Sequence, residues 1–226
     1  MPDRRLLEDL VAARFAHDER NRLTRPALAL YVIRTPEAVT VRCHARLPDD
    51  VAEQLRAIAE RPRGRPRDWS REYGGYLDTL SKVAPIAAVR AGPLYLCPPN
   101  LAGSESCVRL GPDNAALLEG GLEEWIPDAK AGMLMMAVVE EGRAVSLCAS
   151  VHASAAFHHA GVETALAWRG RGLAGRAVAA WAEQVRALGA RPLYGTTFDN
   201  LASQTVARRI GLTLIGSEFE VELTGL

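Results

Sequence analysis

The 226-residue sequence contains very little lysine: of its 27 basic side chains only Lys82 and Lys130 are lysines, and arginine supplies the rest. The 27 acidic side chains balance these charges, so the formal net charge at pH 7 is zero. Proteins that bind polyanions over a broad surface need an excess of positive charge. The balance therefore argues against a general nucleic-acid binder and against an anionic-membrane binder.

Cysteine is also scarce. The four cysteines form no Cys-x-x-Cys pair, and no histidine stands at metal-ligand spacing from them. Cys43 and Cys148 lie in apolar, strand-like runs and are predicted to be small buried hydrophobes. The sequence thus predicts no metal site, and nothing in it demands an oxidising compartment.

Long apolar runs are missing too. The longest, residues 133–139, has seven residues, whereas a membrane helix needs about 20. The N-terminus leads into an amphipathic stretch that contains Glu8 and Asp9, which is unlike the apolar core of a signal peptide. We therefore expect a cytoplasmic protein with no membrane partner.

The first part of the chain, residues 1–100, is predicted to form an N-terminal α/β region. Its periodicity favours helices over 4–17, 48–60 and 70–83 and strands over 28–34, 39–45 and 94–97. Residues 61–67, with four arginines, two prolines and a glycine, are predicted to be a solvated loop, with phosphate binding as the alternative. The best candidate linker is Pro98-Pro99-Asn100 together with Gly103-Ser104.

The second part, residues 101–226, has a different pattern. Strands are predicted over 107–110, 133–139, 143–151, 162–167, 193–197, 212–215 and 219–223, and helices over 173–188 and 201–210. Two short helices are expected within 114–125, and a tight hairpin at Glu140-Glu141-Gly142. We therefore predict a mixed α/β (α+β) domain that begins antiparallel and contains a crossover helix.

The most informative segment lies between a predicted strand and a predicted helix: Trp168-Arg169-Gly170-Arg171-Gly172-Leu173-Ala174-Gly175. Glycines at such a turn let the backbone approach a ligand, and the start of the helix supplies unpaired N–H donors and a positive dipole end. Arg169 and Arg171 add charge. This combination indicates a phosphate or pyrophosphate site rather than a plain tight turn.

Two phosphate-binding motifs can be weighed against this segment. Gly170-Arg-Gly172-Leu-Ala-Gly175 matches the dinucleotide pattern G-x-G-x-x-G, and Asp199 ends the next strand. However, only 27 residues follow Asp199, too few for the further strand–helix units of a dinucleotide fold. A Walker A loop is excluded because no Lys-Ser/Thr follows the glycines.

The segment resembles the coenzyme A loop of the GCN5-related N-acetyltransferases (GNAT), Arg/Gln-x-x-Gly-x-Gly/Ala, which lies between that family's fourth strand and third helix. Arg169-Gly-Arg-Gly172-Leu-Ala174 fits every fixed position. The stretch from Asn200 through Ser203 to Gly211-Leu212 is similar to the family's next motif. The resemblance covers about residues 106–223 and implies a mostly antiparallel sheet flanked by helices, in a GNAT domain over 101–226.

The resemblance implies acetyl-CoA as cosubstrate. Its pyrophosphate would lie on the loop amides and its pantetheine along the preceding strand, which would part from the next strand to leave a slot. Asn200 would contact the cosubstrate and also cap its helix, a position that suits asparagine. The residues expected to bind coenzyme A are Thr164, Leu166, Arg169, Gly170, Arg171, Gly172, Leu173, Ala174, Gly175, Asn200 and Ser203.

The expected chemistry is direct attack of an amine on the acetyl thioester, which needs a proton acceptor and an acid for the leaving thiolate. His158, His159 and Glu163 are the candidate bases, and at most one of the two histidines can face the slot because neighbours on a strand point to opposite sides. Many family members carry a tyrosine acid seven residues after the motif asparagine. Here that position is Ala207, and Tyr194 is predicted to be in the next strand.

We therefore expect an N-acetyltransferase that acts on a small-molecule or peptide amine, with no nucleic-acid partner and with a homodimer left open. The alternatives are a non-catalytic acyl-CoA-binding or regulatory protein of the same fold and a dinucleotide-dependent oxidoreductase. We expect residues 1–100 to be either a degenerate copy of the same unit or a substrate-shaping module. Their side chains Trp69, Arg71, Tyr73 and Tyr76 either close the acceptor side or pack internally.

Overall fold

The computed structural model describes residues 4–60, 69–101 and 107–226 of the chain. The helices are α1 (Arg4–Arg14), α2 (Asp49–Glu60), α3 (Trp69–Leu80), α4 (Ile126–Lys130), α5 (Leu173–Ala187) and α6 (Leu201–Arg209). Short 3-10 helices occupy Pro112–Leu118, Glu123–Trp125 and Leu166–Trp168. The predicted loop at 61–67 and the Gly103-Ser104 part of the predicted linker lie outside the described residues.

The strands are β1 (Leu28–Arg34), β2 (Val39–Cys43), β3 (Ile86–Leu96), β4 (Cys107–Leu110), β5 (Met135–Glu140), β6 (Arg143–Ala153), β7 (Phe157–Thr164), β8 (Arg191–Gly195) and β9 (Thr213–Leu223). The chain forms two compact units, one of Met1–Pro93 with Ile215–Leu226 and one of Leu94–Leu214. We call them the first and second units. The domain division predicted at residue 100 stays a prediction.

The boundary between the units falls within β3, so residues 86–93 of this strand belong to the first unit and residues 94–96 to the second. The first unit has the strand order β2–β1–β9–β3. β1 pairs antiparallel with β2, which confirms the predicted hairpin, and also with β9. Tyr73 of α3 stacks on Phe219 of β9 at 3.9 Å between ring centroids, and Tyr76 is fully buried beside them. Both tyrosines therefore pack internally, while the side chains of Trp69 and Arg71 lie outside those described.

The second unit has the strand order β3–β8–β7–β6–β5–β4. The β7–β8 pair is parallel and α5 makes the crossover between them, whereas the other pairs of the unit are antiparallel. Successive β-strand side chains point to opposite faces, so the unit has two apolar layers. α5 packs on one face around Trp181, and the segment that contains Leu118 and Leu122 packs on the other. The predicted mixed, mostly antiparallel sheet flanked by helices is confirmed.

Three strands differ most from the sequence-based expectations. β7 begins at Phe157 rather than at residue 162 and ends at Thr164, while the C-terminal strand is continuous from Thr213 to Leu223 and β3 begins at Ile86. Alanine, glycine and glutamate in the β7 sequence lower its intrinsic strand propensity, but pairing with β6 and β8 overrides that preference. As a result, His158 and His159 lie inside the strand.

Candidate active site

The parallel strands β7 and β8 separate part-way along their length. Residues 157–159 pair with residues 191–193, and the ladder between the two strands ends there. Beyond that point residues 160–164 pair with β6 alone, and Tyr194 and Gly195 pair with β3. We call the gap between residues 160–164 and residues 194–195 the β7–β8 slot. On the side that faces β8, the backbone N–H and C=O groups of residues 160–164 have no strand partner, so they are available to a ligand.

A glycine-rich turn joins the slot to α5. Gly170 and Gly172 both have φ of 78°, in the left-handed region that favours glycine, and Gly172 occupies the N-cap position of α5. Among the described residues, no acceptor bonds the backbone amides of residues 170–174, as is typical of the first turn of a helix. The turn thus presents a set of N–H donors at the positive end of the α5 dipole, which fits a pyrophosphate.

Three residues at the start of α5 have packing or capping roles as well as a place in the motif. Leu173 is buried in the apolar layer on the α5 face, and Ala174 is half-buried. The Gly175 amide bonds the Gly172 carbonyl at 3.1 Å. A Cβ at Gly175 would lie 2.6 Å from Cγ2 of Ile210, so this glycine allows α5 to approach the end of α6.

The two arginines of the motif are exposed and fold back onto the turn. Arg169 Nε donates to the carbonyl of Thr164 at 3.0 Å, and Arg171 donates to the carbonyl of Ala167 at 3.3 Å. The Arg171 guanidinium also lies over the Trp168 ring, 4.6 Å from its centroid. These contacts brace the turn and hold two positive charges beside the unpaired amides.

The end of β7 carries the two remaining residues predicted on this strand. Thr164 Oγ1 shares a hydrogen bond of 2.7 Å with Ser146 Oγ of β6. Leu166 begins the 3-10 turn and is 80% exposed. Thr164 therefore borders the slot with its hydroxyl already partnered, whereas Leu166 presents an apolar side chain to solvent.

Asn200 caps α6 as predicted. Its side-chain oxygen accepts a hydrogen bond of 3.0 Å from the Ser203 amide. The Ser203 hydroxyl lies 2.6 Å from the hydroxyl of Tyr194, which joins α6 to β8. Burial raises the pKa of Tyr194 to about 12, although its bond with Ser203 opposes the shift.

His158 and His159 are both buried, on opposite faces of β7. His158 lies on the α5 face, where its Nδ1 is 2.7 Å from Ser150 Oγ, and burial lowers its pKa below 6.5. His159 lies on the other face beside His152, at 6.1 Å between ring centroids. The Nε2 atom of His159 is fully enclosed.

Glu163 lies on the same face as His159 and is fixed by a tryptophan. Trp125 Nε1 donates to its Oε2 at 2.8 Å. A hydrogen bond with Glu163, followed by the charge of Glu163, raises the pKa of the neighbouring Glu124. Gly161 makes room here, since a Cβ at this position would overlap Val151 and approach Trp125.

Ala207 lies in the core and is fully buried. The position at which the family pattern places a tyrosine therefore supplies neither an acid nor an exposed group. Among the residues that the structure describes, no three His, Cys, Asp or Glu side chains are grouped to hold a metal ion. Within the same residues, no helix is long and apolar enough to cross a membrane.

The fold is similar to that of several solved acetyltransferase structures. A GCN5-related N-acetyltransferase-like protein from Streptococcus suis matches with a TM-score of 0.52 and 16% identity, over 92% of this chain and 87% of that one. An acetyltransferase of the GNAT family from Colwellia psychrerythraea matches with a TM-score of 0.51 and 12% identity, over 82% of this chain and 76% of that one.

The chain has the GNAT fold. At these identities the likeness concerns the fold alone. No protein-family model and no curated protein matches the sequence.

Within this GNAT fold, several site contacts were absent from the sequence-based prediction. Four side chains form hydrogen bonds near the slot that were not predicted: those of Trp125, Ser146, Ser150 and Trp181. Two signals were present in the sequence: hydroxyls spaced at an even interval on one face of β6, and a tryptophan on the buried stripe of α5 whose N–H needs a partner.

Proposed function

We propose that the protein is an acetyl-CoA-dependent N-acyltransferase that transfers an acetyl group to a primary amine. The observation that carries this proposal is the combination of the β7–β8 slot with the unpaired amides of residues 170–174 at one end of it. The slot can take an extended chain, and the turn can take an anionic group. Acetyl-CoA has both, with a pantetheine arm joined to a pyrophosphate.

The residues fit this cosubstrate in a consistent order. The amides of residues 170–174 would hold the pyrophosphate, with the charges of Arg169 and Arg171 beside it. The backbone groups of residues 160–164 that face away from β6 would bond the pantetheine, with Asn200 and Ser203 on the opposite side. A hydrogen-bond donor near the thioester oxygen would stabilise the charge that forms on it during the reaction.

Acetyl-CoA supplies an activated acetyl thioester. The amine nitrogen attacks the carbonyl carbon, a C–N bond forms, and the C–S bond breaks as the thiolate leaves. One proton leaves the attacking nitrogen and one is taken up by the thiolate, so the transfer needs no oxidant or reductant. Glu163 is a carboxylate with a fixed orientation and could accept the first proton directly or through water.

The test is binding of acetyl-CoA, measured by the melting temperature and by calorimetry. A ligand that binds only the folded protein stabilises it by about 2.7 kcal/mol at 100 times its Kd. Gly172→Glu should abolish binding because it places a carboxylate among the amides. Gly189→Glu is the matched control, since Gly189 has φ of 79° and open space around it, like Gly172, but lies at the other end of α5.

Three outcomes would count against the proposal. They are an unchanged melting temperature at millimolar acetyl-CoA, retained affinity in Gly172→Glu, and tight binding of NADH in place of acetyl-CoA. The last of these would support the dinucleotide alternative.

A second candidate function is a non-catalytic acyl-CoA-binding or regulatory protein. The fully buried Ala207 favours it, because no tyrosine acid stands at that position. This candidate predicts acetyl-CoA binding without release of thiol when a broad panel of amines, polyamines, antibiotics and peptides is supplied. Acyl transfer predicts thiol release with at least one of these acceptors.

A further inference from the structure

A buried chain of hydrogen bonds connects α5 to His158. Trp181 Nε1 donates to Ser150 Oγ at 2.9 Å, and Ser150 Oγ lies 2.7 Å from His158 Nδ1. Trp181 is fully enclosed, and Ser150 and His158 are 7% and 9% exposed. The pairing of β7 with β8 ends at His159. His158 is the residue before it, so it lies next to the end of the slot where the two strands begin to separate.

The chemistry of the three groups determines which atom donates and which accepts in each of these two hydrogen bonds. An indole N–H can only donate, so Ser150 Oγ accepts from Trp181. The serine hydroxyl then has one hydrogen to place. Among the described residues, His158 Nδ1 is its acceptor, so the hydroxyl donates to Nδ1 and the imidazole proton resides on Nε2.

The opposite tautomer is disfavoured by the same geometry. A proton on Nδ1 would make Ser150 accept two hydrogen bonds, and its own O–H would have no acceptor among the described residues. A buried donor left without a partner costs about 1–3 kcal/mol, whereas the Nε2–H of the favoured tautomer belongs to a side chain that is 9% exposed and can bond water or a ligand. Protonation of both ring nitrogens would impose the same cost.

We propose that Trp181 and Ser150 are positioning residues that hold His158 as a neutral imidazole with its proton on Nε2. His158 then acts as a hydrogen-bond donor toward the slot and not as the general base. The proposal rests on the proposed function for the identity of the acceptor, which is the thioester oxygen of acetyl-CoA. The assignment of the proton itself does not depend on that function.

The surroundings of His158 also favour the neutral form. Burial alone accounts for its lowered pKa. The described group that bonds it is Ser150 from β6, which in turn bonds Trp181 from α5, and its neighbour on β8 is Pro192. His152 and His159 lie on the opposite face of the strand.

The decisive measurement is the ¹⁵N chemical shift of the His158 ring nitrogens in the wild-type protein. The sequence has five histidines, and the signals of His158 are identified by their loss in His158→Gln. We expect a pyridine-type shift at Nδ1 and a pyrrole-type shift at Nε2, both retained below pH 6.5. A pyrrole-type Nδ1, or two protonated nitrogens at neutral pH, would overturn the proposal whether or not the protein transfers acetyl groups.

Two variants test the positioning residues. Trp181→Phe and Ser150→Ala should each shift the ring-nitrogen signals toward values averaged over both tautomers, because the hydrogen bonds that make Ser150 donate to Nδ1 are lost. Val185→Ala, also on the buried side of α5, removes core volume but no hydrogen-bond donor and should leave the tautomer unchanged. Unchanged signals in both Trp181→Phe and Ser150→Ala would contradict the positioning role.

Kinetics of the full-length protein separate a donor from a base. The amide N–H of His158→Gln can reach about as far as Nε2, so this variant should keep kcat within about tenfold of wild type. His158→Leu should lose about 100-fold, the usual cost of one donor to a developing oxyanion. A general base predicts equal losses in both variants and an ascending pH limb that disappears in each, which would contradict the donor role.

Discussion

At the scale of single residues, the contact of Trp125 with Glu163 joins a 3-10 helix to a strand across 38 residues of sequence. Trp125 Nε1 donates to Glu163 Oε2 at 2.8 Å. An indole N–H can only donate, so this bond needs an oxygen acceptor at position 163.

The Trp125–Glu163 contact leads to a prediction about the neighbouring Glu124. A hydrogen bond with Glu163 and its negative charge raise the pKa of Glu124, because the protonated Glu124 can donate to the Glu163 carboxylate. Glu163→Gln should therefore lower the pKa of Glu124 toward 4.5 while keeping an oxygen for Trp125 Nε1. Titration of the side-chain carboxyl carbons by NMR measures this shift.

The control for this titration is Trp125→Phe, which keeps both carboxyl groups and removes the indole donor. It should leave the pKa of Glu124 above its ordinary value. If Glu163→Gln leaves that pKa unchanged, the two carboxyl groups do not interact in solution.

At the scale of elements, amphipathic periodicity was sufficient for α5 but not for β7. The apolar stripe of α5 and the glycines before it predicted the helix to within one residue at each end. The sequence of β7 mixes histidine, alanine and glycine, so its limits depend on the strands beside it. The position of the slot could not be predicted from residues alone, because it is set by where the pairing of β7 with β8 ends.

The packing of α5 against α6 can be tested at Gly175. Gly175→Ala should destabilise the protein by about 1–3 kcal/mol, since its Cβ would lie 2.6 Å from Ile210 Cγ2. Chemical denaturation measures the change. Ile210→Ala removes the opposing methyl group, so Gly175→Ala should cost less in that background, with a coupling that a double-mutant cycle reveals.

A helical glycine with open space around it in the described part of the chain provides the matched control for Gly175. At Gly74 in α3, an added Cβ would meet no atom of the described residues within 4 Å, and Gly74→Ala should stabilise the protein by about 0.5–1 kcal/mol. If Gly175→Ala were equally stabilising, the close approach of α5 to Ile210 would not persist in solution.

At the scale of the whole molecule, the order of motifs along the chain carried most of the sequence-based prediction. A glycine-rich loop, a crossover helix, a strand and an asparagine-capped helix follow each other from Arg169 to Arg209. Their order gave a mixed α/β domain with a crossover helix, and the resemblance of two of these motifs to the GNAT family predicted the rest of the fold class. The first unit was predicted only as an α/β region, because its sequence contains no motif that resembles a known family.

Hydrogen exchange across the whole chain tests where acetyl-CoA binds. The amides of residues 170–174 have no acceptor among the described residues, so in the free protein they should exchange at the shortest labelling times. Acetyl-CoA should slow their exchange, together with that of residues 160–164. Gly142 and Gly189 lie in other turns with positive φ and should be unaffected at those times, and Gly172→Glu should show no change at residues 170–174. Early protection confined to β1 and β2, with none at residues 170–174, would assign the binding site to the first unit and contradict the proposed role of the turn.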